Sequence, residues 1–245
     1  MAKPTLLLLD LDNTLWDFDA NAEEALCELF HRHHLHLRTG HSVDHFVRTY
    51  KNINKAYWKR YESRQVSKDV LRVARFTDTF LELGLPAEEH PPQVWEEYLE
   101  ICPVMTRMMP GAIAFLEEMR SVYRLGLVTN GFDQTQLKKI QVTGIQDFIE
   151  LMVTSEGLGA AKPEPEIFHH ALNLASVPAA ETLYMGDTWD TDVAGGIRAG
   201  IRTAWYNHSQ IPPPADGLAD HPLYLGQFGS LLEAGSFLAG LGHKE

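Results

Sequence analysis

Thr5 to Leu9 is an unbroken apolar run that stops at Asp10. That pattern suits a strand buried on both faces of a parallel sheet, and it puts Asp10 and Asp12 at the strand's carboxyl end. From Asn21 the period becomes helical: Ala22, Ala25, Leu26, Leu29 and Phe30 share one face, and Asn21 with Glu24 reads as a capping box. A second helical run carries Val43, Phe46, Val47, Tyr50, Tyr57, Trp58 and Tyr61. A third extends from Ser67 to Gly84 and a fourth from about Pro92 to Ile101. No strand pattern interrupts these four helices, so they read as an inserted helical module. After Pro110 the rhythm alternates. Strands are predicted at Arg124 to Val128, Leu151 to Val153, Thr182 to Met185 and Thr203 to Tyr206, with helices near Gln134 to Thr143, Pro165 to Ala175 and Thr191 to Ala199. A proline-rich surface loop from Ile211 to Pro222 precedes a final short strand and a helix from about Phe228 to Leu241. The alternation predicts an α/β class, a Rossmann-like doubly wound parallel sheet with an inserted all-helical domain. The predicted division is 1–15 with 106–245 for the α/β core and 16–105 for the helices.

Composition supports a folded chain and narrows its partners. With 245 residues and 44% hydrophobic content a large core can be buried. Thirty-three acidic against 21 basic residues give a formal charge of −12, which repels nucleic-acid backbones and anionic membrane surfaces. No nucleic acid and no membrane are therefore expected as partners. Cys27 and Cys102 lie far apart and have no metal-type spacing, so they read as reduced thiols. Leu6 to Leu9 is too short for a signal segment or a membrane span. The expectation is a soluble, cytoplasmic protein, monomeric or homodimeric.

In open α/β sheets ligands bind beyond the carboxyl ends of the strands, and the polar residues that follow the predicted strands converge in kind. Asp10 and Asp12 follow the first, Thr129 and Asn130 the next, Lys162 lies after the third and Asp187 follows the fourth. Three carboxylates, a hydroxyl and an amine from four strand ends resemble a metal-plus-phosphate site. Magnesium takes hard oxygen ligands, and Asp10 and Asp187 can supply the carboxylates. A carboxylate nucleophile splits phosphate hydrolysis into two displacements, and a neighbouring acid must protonate the leaving oxygen and later deprotonate water. Asp12 is placed for that work. Thr129 and Lys162 would hold phosphoryl oxygens, where charge must be stabilised.

Asp10-Leu-Asp12-Asn-Thr14, Val128-Thr129-Asn130, Lys162-Pro163 and Gly186-Asp187-Thr-Trp-Asp-Thr-Asp192 resemble the four ordered motifs of the haloacid dehalogenase superfamily. They span residues 6 to about 200. The resemblance implies Asp10 as nucleophile and magnesium ligand, and Asp12 as acid/base that lends its carbonyl to the metal. It further implies Thr129, with Asn130 beside it, and Lys162 as phosphate-binding residues, Asp187 as a metal ligand, and Asp192 rather than Asp190 as a carboxylate that steadies a metal-bound water or Lys162. True dehalogenases in this superfamily lack the second aspartate, so Asp12 argues for phosphate. The insertion from about Leu15 to Met109 resembles the helical cap of the first cap class, which implies a small phosphorylated metabolite as substrate.

Within that class, Asp12 to Phe18 with Asn21 and Glu24 to Leu26, Thr129 to Phe132 with Gln136 and Leu137, and Ser155-Glu156-Gly157 before Lys162 look like the bacterial pyrimidine 5'-nucleotidase branch. The implied activity is hydrolysis of nucleoside 5'-monophosphates. Trp16 or Phe18 is a candidate for packing near a base or for serving the hinge between domains. The alternatives are a sugar-phosphate phosphatase, a phosphoglucomutase, a 2-haloacid dehalogenase, or a binding protein without turnover. His31, His33, His34 and His36 invite a metal reading, but at a helix end they suit the dipole without one. Tyr50, Tyr57, Trp58 and Tyr61 read as core of the helical module, and Gly195-Gly196 as close helix–strand packing.

Overall fold

The computed structural model describes residues 2–242. They form two compact units, one made of the described residues up to Phe18 and from Thr106 onward, the other of 19–105.

The first unit opens with β1 (Leu6–Leu9), whose four leucines are wholly buried. Four helices and a short turn of helix follow: α1 (Phe18–Arg32), α2 (Leu35–Thr39), α3 (Val43–Glu62), α4 (Lys68–Glu82) and α5 (Val94–Ile101). The chain then returns to the first unit through α6 (Ala112–Met119), β2 (Arg124–Thr129), α7 (Asp133–Val142), β3 (Leu151–Thr154), α8 (Ser155–Leu158) and α9 (Pro165–Ala175). It closes with β4 (Thr182–Gly186), α10 (Ala194–Arg198), β5 (Arg202–Tyr206), β6 (Tyr224–Phe228) and α11 (Leu231–Gly242).

The six strands make one sheet in the order β3-β2-β1-β4-β5-β6, with every pairing parallel. β1 lies between β2 and β4, Leu9 opposite Leu127 on one side and Met185 on the other. A central parallel strand covered on both faces selects a continuous apolar run over an alternating one, which is why Leu6–Leu9 reads as it does. On one face Leu6, Leu8, Val128, Ile167, Phe168, Leu172, Tyr184 and Ile201 form a single buried cluster. There the Phe168 ring meets Tyr184 edge-on at 5.0 Å between centroids. Removing one of these leucines would cost about 2–5 kcal/mol through lost burial and the cavity left behind. The sheet order reverses between β1 and β4, the switch point at which such folds bind ligands.

In the helical unit α3 and α4 begin where serines cap them. Ser42 Oγ accepts from the amide of His45 and Ser67 Oγ from that of Val70, both at 3.3 Å. The core of this unit is aromatic: Phe46, Tyr50, Tyr57, Phe76, Phe80 and Tyr98 are buried. Trp58 and Tyr61 are only half-buried. Arg75 is buried among them, donating to Asn54 Oδ1 at 2.8 Å, with its guanidinium 5.1 Å from the Tyr98 ring. The flat, weakly hydrated guanidinium tolerates such a place because aromatic faces attract it.

One local expectation fails here. Asn21 does not cap α1, which starts at Phe18; Asn21 sits in the second turn and is 1% exposed. Its polarity suggested a boundary, but the helix absorbs it on the buried face. The helix expected from Thr191 instead starts as a wider π turn over Trp189–Val193 before α10. Among the described residues no helix is long and apolar enough to cross a membrane.

Candidate active site

Asp10 follows β1 directly and is 6% exposed. Its main-chain amide donates to Met185 O on β4, so the last sheet bond between these strands fixes the residue. Lys162 reaches it from the loop after β3, with Nζ 2.6 Å from Asp10 Oδ1. The same ammonium donates to Asp192 Oδ1 at 2.6 Å and to the Tyr184 hydroxyl at 3.1 Å. Its three protons therefore have three acceptors. Tyr184 in turn donates to Asp192 Oδ1, and the amide of Thr188 donates to Asp192 Oδ2 at 2.9 Å. The π turn after β4 carries Asp192 back over Gly186, where a Cβ would stand 2.4 Å from Asp192 Cγ. Asp190, in the same turn, is exposed.

Asp187 follows β4 and completes a cluster: carboxylate oxygens of Asp10, Asp187 and Asp192 lie within 4.8 Å of one another. It is the one group of three or more potential metal-holding side chains among the described residues, so the histidines of residues 31–36 form no such group. Trp205 Nε1 anchors the Asp187 carbonyl at 2.7 Å. Thr14 Oγ1, fully buried, is 3.5 Å from both Asp10 Oδ2 and Asp187 Oδ1.

The electrostatics follow from packing these charges out of water. Burial pushes the Asp10 carboxyl up to about 7; Lys162 pulls it down, while Asp192 and Asp12 push it up. Desolvation, with Asp10 and Asp192 close by, holds Asp187 well above the usual carboxylate range. For Lys162 burial disfavours the charge, but Asp10 and Asp192 outweigh it and keep the ammonium protonated well above the usual lysine range. Burial and then Asp192 likewise keep the Tyr184 phenol protonated. Two carboxylates that resist ionisation beside a third, all hard oxygen donors, are what a divalent cation would relieve.

Asp12 stands apart from this cluster. Its Oδ1 pairs with Lys139 Nζ at 2.5 Å and its Oδ2 accepts from Gln136 Nε2 at 2.9 Å. Thr129 ends β2, buried, and its hydroxyl accepts from Gly131 N at 3.1 Å and Gln136 Nε2 at 2.7 Å. The hydroxyl proton is used by neither bond. Asn130, a candidate phosphate-binding residue, turns its side chain to Lys162: Oδ1 accepts from the Lys162 amide at 2.8 Å and Nδ2 donates to the Lys162 carbonyl at 3.0 Å. Trp16, a candidate for contact with a base, is wholly buried and bridges in β fashion to Asp12 and Met108, so its ring is unavailable to a ligand. Lys139 is a site neighbour that the sequence pattern did not mark, and Gln136 entered there only through the nucleotidase resemblance. Both share with Ile140 the i, i+3, i+4 face that α7 buries.

Residues 4–200 match the haloacid dehalogenase-like hydrolase family. The chain belongs to that family. Among haloacid dehalogenase-like relatives, it is 30% identical to the pyrimidine 5'-nucleotidase YjjG of Escherichia coli over 214 residues, covering 87% of this chain and 90% of that one. It is also 30% identical to the pyrimidine 5'-nucleotidase PynA of Streptococcus pneumoniae over 216 residues, 84% and 88% of the two chains. The solved structure of the haloacid dehalogenase-type hydrolase YfnB from Bacillus subtilis, bound to magnesium, superposes with a TM-score of 0.83 at 26% identity, covering 97% of this chain and 99% of that one. Nucleotidase relatives and a family of hydrolases make this haloacid dehalogenase-like chain consistent with a phosphatase.

Proposed function

We propose that the chain is a magnesium-dependent phosphomonoester hydrolase that works through an aspartyl-phosphate on Asp10, with nucleoside 5'-monophosphates as its substrate class. The observation that carries the mechanism is the buried Asp10 carboxylate, grouped with Asp187 and Asp192 and held by Lys162 at 2.6 Å, with Asp12 two residues further on. The substrate class is supported by the two pyrimidine 5'-nucleotidases that share 30% identity with most of the chain.

Asp10 and Asp187 would hold the metal, with the Asp12 carbonyl beside them. Asp192 is the poorer ligand, since three donors already occupy its oxygens. Bound magnesium would neutralise phosphoryl charge and lower the cost of ionising both carboxylates. Lys162 and Thr129 bind the phosphoryl oxygens, Thr129 through its uncommitted proton and Lys162 by redirecting one of its three. In the first displacement an Asp10 oxygen bonds to phosphorus as the ester P–O bond breaks, and Asp12 gives its proton to the departing oxygen. In the second, Asp12 takes a proton from water as that water attacks the acyl phosphate, which frees Asp10 and inorganic phosphate. The substrate is a small phosphorylated metabolite in a cytoplasmic setting.

Phosphate release from nucleotides and sugar phosphates tests the reading, with magnesium, with EDTA, and with Asp10→Asn. Release favouring pyrimidine monophosphates and abolished by both controls is expected. Preference for sugar phosphates would keep the mechanism and replace the substrate, and no release from any compound would remove the hydrolase reading.

A further inference from the structure

Lys139 is a buried cation that the reaction as drawn does not use. Its side chain is 4% exposed, and its ammonium lies 2.5 Å from Asp12 Oδ1. The ammonium also sits 4.3 Å from the centre of the Trp16 ring and 5.6 Å from that of Phe18. Aromatic faces and a carboxylate thus fix it from different sides. Three residues earlier on the same face of α7, Gln136 is wholly buried and spends its Nε2 twice, on Asp12 Oδ2 and on Thr129 Oγ1. Its Oε1 is buried without a hydrogen-bond partner. An orphan acceptor of that kind is a cost the fold carries only if the two bonds of Nε2 require it. Turning the amide over would satisfy it only by facing an acceptor against the Asp12 carboxylate. Gly131 makes the arrangement possible, since a Cβ there would come within 2.3 Å of Gln136 Nε2.

Both oxygens of Asp12 are therefore held by donors from one helix, and one of those donors also holds the hydroxyl of Thr129. We infer that Lys139 and Gln136 are positioning residues for proton transfer: they set the orientation of the Asp12 carboxyl and tie it, through Gln136, to the threonine at the phosphoryl position. This rests on the phosphohydrolase reading above. An acid delivers its proton only within hydrogen-bond reach of the leaving oxygen, and Asp12, in a turn where Asn13 has φ 57°, has no regular element of its own to fix it. Lys139 and Gln136 supply that constraint.

The test uses Lys139→Met and Lys139→Gln in the full-length protein, with kcat/KM measured on p-nitrophenyl phosphate and on an alkyl phosphate. The aryl oxygen leaves without needing a proton; the alkyl oxygen needs one. The variants should lose about 10–100-fold on the alkyl ester, short of the full contribution of a general acid, and about threefold or less on the aryl ester. In an Asp12→Asn background Lys139→Met should add no further loss, because neighbours acting through one group are not additive. Equal losses on both esters, or losses that add to those of Asp12→Asn, would mean that Lys139 only supports the fold and would overturn the inference. Failure of the hydrolase reading is seen separately, as absence of phosphate release by the wild-type protein. The pairing has its own readout in nitrogen-15 lysine NMR. Two ammoniums, those of Lys162 and Lys139, should be protected from exchange in the wild type, and the one whose signal vanishes in Lys139→Met should lose protection in Asp12→Asn; absence of that signal overturns the inference whatever the activity.

Discussion

The side chain of Asn130 brackets the main chain of Lys162, accepting from its amide at 2.8 Å and donating to its carbonyl at 3.0 Å. An amide side chain thereby stands in for a strand neighbour where β3 has already ended, and it aims the lysine from a loop. Asn130→Ala removes both bonds without touching the Lys162 ammonium. Misplacement of a binding group by about 1 Å costs on the order of 100-fold, so kcat/KM should fall by about one to two orders of magnitude. Magnesium binding, followed by calorimetry, should hold because Asp10 and Asp187 are unaltered. Activity within twofold of wild type would show that Lys162 needs no such bracket.

Lys162 is itself the counter-charge to two buried carboxylates, Asp10 and Asp192, at 2.6 Å each. Removing one partner from a buried ionic set strands the others, at about 3–5 kcal/mol. Lys162→Met should abolish activity and destabilise the protein by that order in denaturant. The loss should be smaller at pH 5.5 than at pH 8, because the Asp10 carboxyl, pushed up to about 7 by burial, then holds a proton in place of the lysine's charge. A pH-independent loss would place the cost in packing.

Much of this site could be read from the chain because strand ends speak plainly. Four leucines buried to the last atom sit in the middle of the sheet, so Leu6–Leu9 announced β1 and with it the place of Asp10. Asp187 and Lys162 were found by the same rule. What escaped has physical reasons. α2 and α8, five and four residues long, are too short to display a period. Asn21 looked like a cap because a buried polar helix residue and a capping one are written with the same letter. Lys139 carried no mark in the chain and Gln136 only a family likeness; only the positions of Asp12 and Thr129 in space reveal that the core side of α7 is polar.

Magnesium and protons should compete for the same oxygens. Burial raises the Asp10 carboxyl from 3.8 to about 7 and lifts Asp187 in the same direction. For a carboxylate raised on folding, the unfolded chain loses its proton first, so without metal stability declines as pH climbs from about 4 through 7. Metal binding removes that penalty. The gain in melting temperature on adding magnesium should therefore be larger at pH 8 than at pH 5.5, as scanning calorimetry would read. Asp10→Asn in EDTA should be more stable than the wild type at pH 8, with the advantage shrinking toward pH 5. An equal magnesium effect at both pH values would mean that Asp10 is already ionised throughout the range.

Gly186 and Asp192 give the sharpest packing test. A Cβ on Gly186 would lie 2.4 Å from Asp192 Cγ and 2.7 Å from its Cβ. These are the root of the side chain and its branch point, so rotation about its bonds gives no escape. Gly186→Ala must push Asp192 away from Lys162, Tyr184 and the Thr188 amide together. Overpacking of this kind costs about 1–3 kcal/mol, and it should come with a loss of activity, since Lys162 loses one of its two anions. Asp192→Gly deletes the atoms in the way. In that background Gly186→Ala should cost little, so the two changes should fall short of additivity by about the whole clash. Denaturation midpoints of the two single variants and the double variant complete the cycle. If the losses summed, the crowding at Gly186 would lie with the strand backbone, and the carboxylate that steadies Lys162 would owe nothing to the glycine beneath it.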